Sequence, residues 1–188
     1  MSGEDTKPDV WMLDSSTFIH ALIIDRIQLV VSIRSSLRFP EYVLRFELGA
    51  NAREITRTSA TSCVDRKQIG VDTLSLADLD RIASLEAPRR IGLGEIACAV
   101  IAERHAGGVL CDDWRARAWL EPRTTPKCWD SIDGVLLDAA AEGRIGELDL
   151  VDFQETLRKS HYECRCDLRL EHLQRQITRR DNDTQMQE

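Results

Sequence analysis

The chain has 188 residues, of which 25 are basic and 32 acidic, so its formal net charge is −7. With 43% hydrophobic and 30% charged residues, the composition supports one folded domain and excludes a largely disordered or collagen-like chain. No apolar run approaches the roughly 20 residues that cross a bilayer. The acidic balance argues against nucleic-acid binding by bulk charge, without excluding a local basic groove beside a metal site.

In the first half of the chain, short apolar runs alternate with helix-like spacing of apolar residues. The predicted elements are a strand at 10–13, a helix at 18–24, a strand at 37–39, a helix at 43–48, a strand at 69–71 and a helix at 76–86. Asp14 ends the first strand abruptly, and Pro40 suits the start of a helix. Residues 50–68 have no clean period and predict only a weak helix or a loop.

The second half continues the alternation. A helix at 93–101 is apolar on most sides, carries Glu95 in its first turn and is expected to end at Gly107 and Gly108. The elements predicted after it are a strand at 109–111 and helices at 114–120, 132–140, 148–157 and 168–180.

Strands that alternate with helices predict an α/β fold around a mostly parallel sheet. Ligands in such folds bind at the carboxyl ends of the strands. Because Asp14 and Asp112 each follow directly on a predicted strand, we expect both at that edge.

The domain organisation is expected to be simple. A folded domain over residues 9–157 is followed by a helical extension over 158–180, with a flexible amino terminus at 1–8 and a disordered tail at 181–188. The first eight residues have no apolar core, so they predict neither a signal nor a transit peptide, and we expect a cytoplasmic protein. The six cysteines form no CxxC pair and are expected to be reduced and structural.

Carboxylates at strand ends and on apolar helices are the strongest chemical signal. They are Asp14, Glu47, Glu95, Asp112 and Asp113. Together they would form an oxygen-ligand cluster suited to a hard cation such as Mg²⁺ or Mn²⁺. Two ordinary alternatives stay open: an aspartate after a strand often caps the next helix, and a buried glutamate often pairs with an arginine. The candidate arginines are Arg38, Arg45, Arg90 and Arg115.

Other side chains, most of them close to the end of the predicted strand at 109–111, also have both a functional and an ordinary structural interpretation. Arg115 and Arg117 would contact phosphates beside the metal, or form ordinary ion pairs. Trp114 and Trp119 would stack on bases, but five residues apart on a helix they share a face poorly, and Trp119 is expected in the core. The four histidines lack metal-ligand spacing and are expected to be structural or exposed; His20, on the helix after Asp14, is nearest the site.

The order of these elements resembles the PIN domain nucleases, in the branch with a GEGEA-type helix and a DDxxAR strand end. The segments that carry the likeness are Leu13-Asp14-Ser15-Ser16, Pro40 through Val43 with Glu47-Leu48, Gly92-Leu93-Gly94-Glu95-Ile96-Ala97 and Leu110 through Arg117. It covers roughly residues 9–157 and implies a three-layer fold with a central, mostly parallel sheet flanked by helices. The proline-rich segment 121–127 and residues 56–67 depart from the pattern.

The resemblance implies that Asp14, Glu47, Glu95 and Asp112 surround one or two ions of Mg²⁺ or Mn²⁺, with Asp113 as a further ligand or beside them. Ser16 would orient a ligand or a phosphate, unless it only caps the helix. Such a cluster supports metal-assisted hydrolysis of a phosphodiester, in which a bound ion lowers the pKa of water and neutralises developing charge.

The resulting first hypothesis is a Mg²⁺- or Mn²⁺-dependent endoribonuclease, the VapC-like toxin of a toxin–antitoxin pair. RNA as substrate, an antitoxin as protein partner and a homodimer are all implications of the resemblance, and no membrane is involved. The alternative is a catalytically silent PIN-like module that binds a protein or RNA. A phosphatase with Asp14 as nucleophile ranks lower, because Ser16 stands where such enzymes usually have a second aspartate.

Overall fold

A central five-stranded sheet organises the protein. The structure is a computed structural model and describes residues 8–185. The strands are β1 (Trp11–Leu13), β2 (Leu37–Pro40), β3 (Gly70–Asp72), β4 (Gly108–Leu110) and β5 (Cys128–Asp130). Their order is β3-β2-β1-β4-β5, and every neighbouring pair is parallel. The expected α/β class is therefore confirmed, with a sheet that is parallel throughout.

Helices connect the strands and cover both faces of the sheet. The α-helices are α1 (Ser15–Ile23), α2 (Ile27–Ile33), α3 (Glu54–Asp65), α4 (Leu76–Ser84), α5 (Leu93–His105), α6 (Trp114–Leu120), α7 (Ile132–Ala141), α8 (Glu147–Lys159) and α9 (Leu168–Gln185). Between β2 and α3 lies a π-helix, Val43–Ala50. Helix α5 packs on β1, β2 and β4 with α4 and α6 beside it, while α1, α2, α7, α8 and α9 pack together as a second group. This three-layer arrangement agrees with the fold that the resemblance implies.

Several local predictions need correction. Pro40 ends β2 rather than starting a helix, and Ala106, with a left-handed φ of 49°, ends α5 where Gly107 and Gly108 were expected to do so. Residues 50–68, which gave no clean period, contain the 12-residue helix α3. Helix α2 and strand β5 were not predicted.

The carboxy-terminal extension is part of the packed structure. Helix α9 contacts α7 and α8, and Leu168 at its start is fully buried. The helix continues through residue 185, so residues 181–185 of the expected tail belong to it. Residues 186–188 of that tail, and 1–7 of the expected flexible amino terminus, lie outside the described residues.

Two further observations bear on the sequence predictions. All six cysteines are free. Among the described residues, no helix is both long and apolar enough to cross a membrane.

The strand order places a natural ligand crevice between β1 and β4. From β1 the chain moves to β2 and β3 on one side, and later to β4 and β5 on the other, so the order reverses between these two strands. Ligands of open α/β sheets bind outside the carboxyl ends of the strands at such a reversal. Asp14 follows β1 and Asp112 follows β4, with the Asp14 N–H bonded to the Leu110 carbonyl at 3.0 Å.

Candidate metal centre

Three carboxylates meet at this crevice from three different elements. Asp14 is the N-cap of α1, Glu47 lies in the π-helix, and Glu95 lies in the first turn of α5. Gly94 makes room for one of them: a Cβ built on this glycine would stand 2.2 Å from Glu47 Oε1. The Glu47 carboxylate therefore rests directly on the backbone of α5, beside Glu95.

The two oxygens of Asp14 have different roles. Oδ2 caps α1, since it accepts hydrogen bonds from the Ser16 N–H at 3.2 Å and the Ser16 hydroxyl at 2.5 Å. Oδ1 is buried and has no hydrogen-bond partner among the described residues. Helix capping therefore accounts for only one of the two oxygens, and an orphaned buried acceptor is costly unless a ligand satisfies it.

Burial and neighbouring charge disfavour the ionised form of Asp14. Burial raises its pKa to about 7, and the charges of Glu95 and, less strongly, Glu47 act in the same direction. The hydrogen bonds from Ser16 oppose this rise only in part. Such repulsion between carboxylates is what a divalent cation would relieve.

Among the described residues, Glu95 and Glu47 also have no cationic partner. Burial raises the pKa of Glu95, and the charges of Glu47 and Asp113 raise it further. The Ser15 hydroxyl donates to Glu47 Oε2 at 2.6 Å. Within residues 8–185, no ion pair includes either glutamate.

The four arginines considered as partners are engaged elsewhere or stand apart. Arg38 pairs with Asp72 at 3.0 Å, and Arg45 pairs with Glu41 at 2.6 Å. Arg90 and Arg115 line a groove beside α6. The ordinary explanation by ion pairing therefore does not apply to Glu47 and Glu95 in this structure.

The adjacent aspartates Asp112 and Asp113 face different surroundings. Asp112 Oδ2 lies 2.6 Å from His20 Nδ1, and its Oδ1 accepts from the Ile132 N–H at 2.8 Å. Asp113 Oδ1 caps α6 by accepting from the N–H groups of Arg115 and Ala116. Of the two, it is Asp113 whose charge acts on Glu95. The charge of Glu95 thus interacts with those of Asp14, Glu47 and Asp113, whereas Asp112 is bonded to His20.

The donor set fits a hard divalent cation in its chemistry. All four carboxylates offer oxygen, and Asp14 Oδ1 is free to bind. In the described residues, however, no group of three or more acidic, histidine or cysteine side chains is arranged so that it could hold a metal ion as it stands. Carboxylates with no cation between them repel one another, so a bound ion would draw them closer.

The predicted substrate-binding residues lie in two places. Ser16 turns inward to Asp14, as described above. Arg117 pairs with Glu121 at 3.3 Å and lines a cavity of about 910 Å³ together with Asp112 and Tyr162. Arg115 is exposed, with its guanidinium 5.5 Å from the centre of the Trp114 ring.

A polar network behind Asp112 escaped the sequence reasoning. The His20 ring packs on Tyr162 with centroids 4.3 Å apart, and the Tyr162 hydroxyl donates to Asp133 at 3.1 Å. Asp133 also accepts the Arg165 N–H at 2.8 Å, and burial raises its pKa. The only available signal was Asp133 at an otherwise apolar helix start, and nothing linked it to Tyr162, 29 residues away.

Comparison with known proteins adds no family assignment. No protein-family model matches the chain, and no curated protein matches it significantly in sequence.

Proposed function

We propose that this protein is a Mg²⁺- or Mn²⁺-dependent nuclease that hydrolyses RNA phosphodiesters, as the PIN-domain resemblance implies. The observation that carries the proposal is the group of Asp14, Glu47 and Glu95, which lies at the sheet's ligand crevice and has no cationic partner in residues 8–185. A protein gains nothing in stability from such a group, whereas a metal site needs it.

The candidate ligands are Asp14, Glu47, Glu95 and Asp113, with Asp112 able to join if it releases His20. A bound divalent cation would supply Lewis-acid activation of water and neutralise charge on the reacting phosphate. Gly94 positions the Glu47 carboxylate, Ser16 holds one oxygen of Asp14, and Ser15 orients Glu47. The proposal places the protein in the cytoplasm, as the toxin of a toxin–antitoxin pair with an antitoxin as partner and a homodimer as its form.

One observation favours the alternative, a catalytically silent module that binds a protein or RNA. Both oxygens of Asp112 are already hydrogen-bonded within the protein, to His20 and to the Ile132 N–H, and these bonds compete with a cation for that carboxylate. This alternative predicts weak or absent binding of divalent cations.

The test combines cation binding with RNA cleavage. Purified protein is titrated with Mn²⁺ by calorimetry and incubated with labelled tRNA, rRNA fragments and single-stranded DNA in Mg²⁺, Mn²⁺ or EDTA. We expect EDTA-sensitive RNA cleavage that Asp14→Asn and Glu47→Gln each reduce by two orders of magnitude or more, since lost metal ligation costs several kcal/mol in the transition state. Asp112→Asn, assayed alongside, reports whether that carboxylate joins the site.

The matched control is Asp80→Asn, which removes the same charge from an exposed position on α4. It should leave cleavage and Mn²⁺ binding unchanged. Equal cleavage by wild type and Asp14→Asn would identify a contaminating nuclease. Absence of both cleavage and Mn²⁺ binding would refute the proposal in favour of the silent module.

A further inference from the structure

A basic, aromatic groove runs along α6, next to the candidate metal centre. It encloses about 340 Å³ and is lined by Arg90, Trp114, Arg115, Ala118, Trp119 and Arg123. We propose that this groove, which we call the α6 groove, binds an unpaired segment of RNA next to the scissile phosphate. The inference rests on the proposed nuclease function and names the form of its substrate.

The charge of the α6 groove is opposite to that of the whole protein. The net charge is −7, yet the described residues that line this surface include three arginines and no carboxylate. Arg90, Arg115 and Arg123 are exposed, and none forms an ion pair within the described residues. By contrast, Arg34, Arg81 and Arg104 all pair with carboxylates. Arg123 donates a hydrogen bond to the Trp119 carbonyl at 2.9 Å but has no carboxylate partner among the described residues. Guanidinium groups that no carboxylate neutralises, collected in one groove, suit the phosphates of a polyanion.

The same groove presents two aromatic surfaces. Trp114 is 62% exposed, an unusual state for the largest apolar side chain. Trp119 is half-buried, with the Arg123 guanidinium 4.7 Å from the centre of its ring. Trp119 also packs against the core, as expected, although both tryptophans line this groove.

The position of the groove connects it to the acidic cluster. Trp114 directly follows Asp113, whose charge acts on Glu95, and Arg90 lies two residues before Gly92, the N-cap of α5. Trp114 also lines the larger cavity that contains Asp112. A strand bound in the α6 groove would therefore approach the carboxylates from one side of α6.

Unpaired RNA fits these features better than a duplex or a protein. Bases can stack on tryptophan faces only when they are unpaired, and stacking combined with arginine contacts to phosphates is the usual way of binding single strands. An acidic protein segment would use the arginines, but it would not require the exposed face of Trp114.

The test measures binding of a fluorescent decauridylate by anisotropy in EDTA, so that no cleavage takes place. The groove variant Arg90→Gln/Arg115→Gln/Arg123→Gln is compared with Arg53→Gln/Arg57→Gln/Arg66→Gln. The control removes the same charge from three exposed arginines on or beside α3 that have no ion pair in the described residues. Thermal unfolding verifies that each variant is folded.

For the groove variant we expect affinity to fall on the order of 50-fold at 0.15 M salt. The slope of log K against log salt should also become shallower by about 2, because three phosphate contacts are lost. The control should lose no more than about threefold. Trp114→Leu should bind about tenfold more weakly and Trp114→Phe should stay closer to wild type, since only the latter retains an aromatic face.

Three results would overturn the inference: equal loss in the groove and control variants, duplex RNA bound as tightly as decauridylate, or Trp114→Leu equal to wild type. The outcome is separable from that of the proposed nuclease. If cleavage depends on Asp14 but the groove variant binds RNA like the control, the RNA-binding role of the groove is refuted and the nuclease function still stands. If RNA binding depends on the groove but the protein neither cleaves RNA nor binds Mn²⁺, the groove is supported and the nuclease is refuted.

Discussion

Aspartates lie at the ends of four strands. Those of the outer strands form ion pairs with arginines, and those of the central strands do not among the described residues. Asp72 ends the edge strand β3 and is surrounded by Arg38, Arg104 and His105, with Arg104 at 2.6 Å. Asp130 ends the opposite edge strand β5 and pairs with the buried Arg34. Within the described residues, neither Asp14 after β1 nor Asp112 after β4 has an arginine or lysine partner.

This difference separates structural carboxylates from candidate ligands. A paired carboxylate stabilises the fold through its partner, which already neutralises its charge. Asp14, with its raised pKa and a free oxygen, destabilises the fold unless something binds it. Substitutions at the two kinds of aspartate should therefore change stability in opposite directions.

The largest expected effect comes from breaking an outer pair. Arg34→Ala removes a buried guanidinium that bonds both Asp130 and Asp138, the latter at 2.8 Å. Because two partly buried carboxylates then lose their partner, we expect the free energy of unfolding to fall by about 3 kcal/mol or more in urea titrations. Arg175→Ala, which removes an exposed pair with Glu171, should cost less than about 0.5 kcal/mol. A loss below about 1 kcal/mol for Arg34→Ala would show that the outer pairs are not structural.

An effect of comparable size and opposite sign is expected at the centre. The pKa of Asp14 is about 7 in the folded protein against an ordinary value of 3.8, so between these pH values the folded state holds a proton that the unfolded state has released. The contribution of Asp14 to stability is therefore complete below pH 4 and is lost as pH rises to 7, by up to about 1.4 kcal/mol per pH unit.

Asp14→Asn removes this titration. In EDTA at pH 8 the variant should be more stable than wild type by on the order of 2–4 kcal/mol, and the difference should shrink toward pH 4. Urea unfolding of both proteins at pH 5, 6.5 and 8 measures it, and adding Mn²⁺ should stabilise only the wild type. A variant less stable than wild type at pH 8 would mean that Asp14 is merely a helix cap.

Much of the frame of the site could be predicted from the sequence. Apolar runs that stop at Asp14 and Asp112 indicate buried strands, and parallel strands bring their carboxyl ends to one edge. The all-round apolar character of α5 likewise indicated a covered helix. These signals are local, since they depend only on the spacing of residues within one element.

Other features depend on tertiary contacts that no local pattern encodes. Helix α3 buries Thr56, Ala60 and Cys63, whose spacing is helical but whose hydropathy is weak, so the period was invisible. The π-helix differs from an α-helix only in its hydrogen-bond register. Asp112 and Asp113 are neighbours in an extended segment, so their side chains point to opposite sides. What each side chain meets there depends on the elements that pack around β4.

The smallest expected effect comes from a change at Gly94, against which the Glu47 carboxylate lies. Gly94→Ala would place a methyl group where the Glu47 carboxylate now lies, and because that carboxylate ends a flexible side chain, it can move aside at little cost in stability. We expect Mn²⁺ affinity to fall about tenfold in calorimetry, while the free energy of unfolding changes by less than about 1 kcal/mol. Gly146→Ala, where an added Cβ would meet only an ordinary 3.6 Å contact, should leave Mn²⁺ affinity unchanged. Unaltered affinity in Gly94→Ala would remove Glu47 from the ligand set and leave Asp14 and Glu95 as its core.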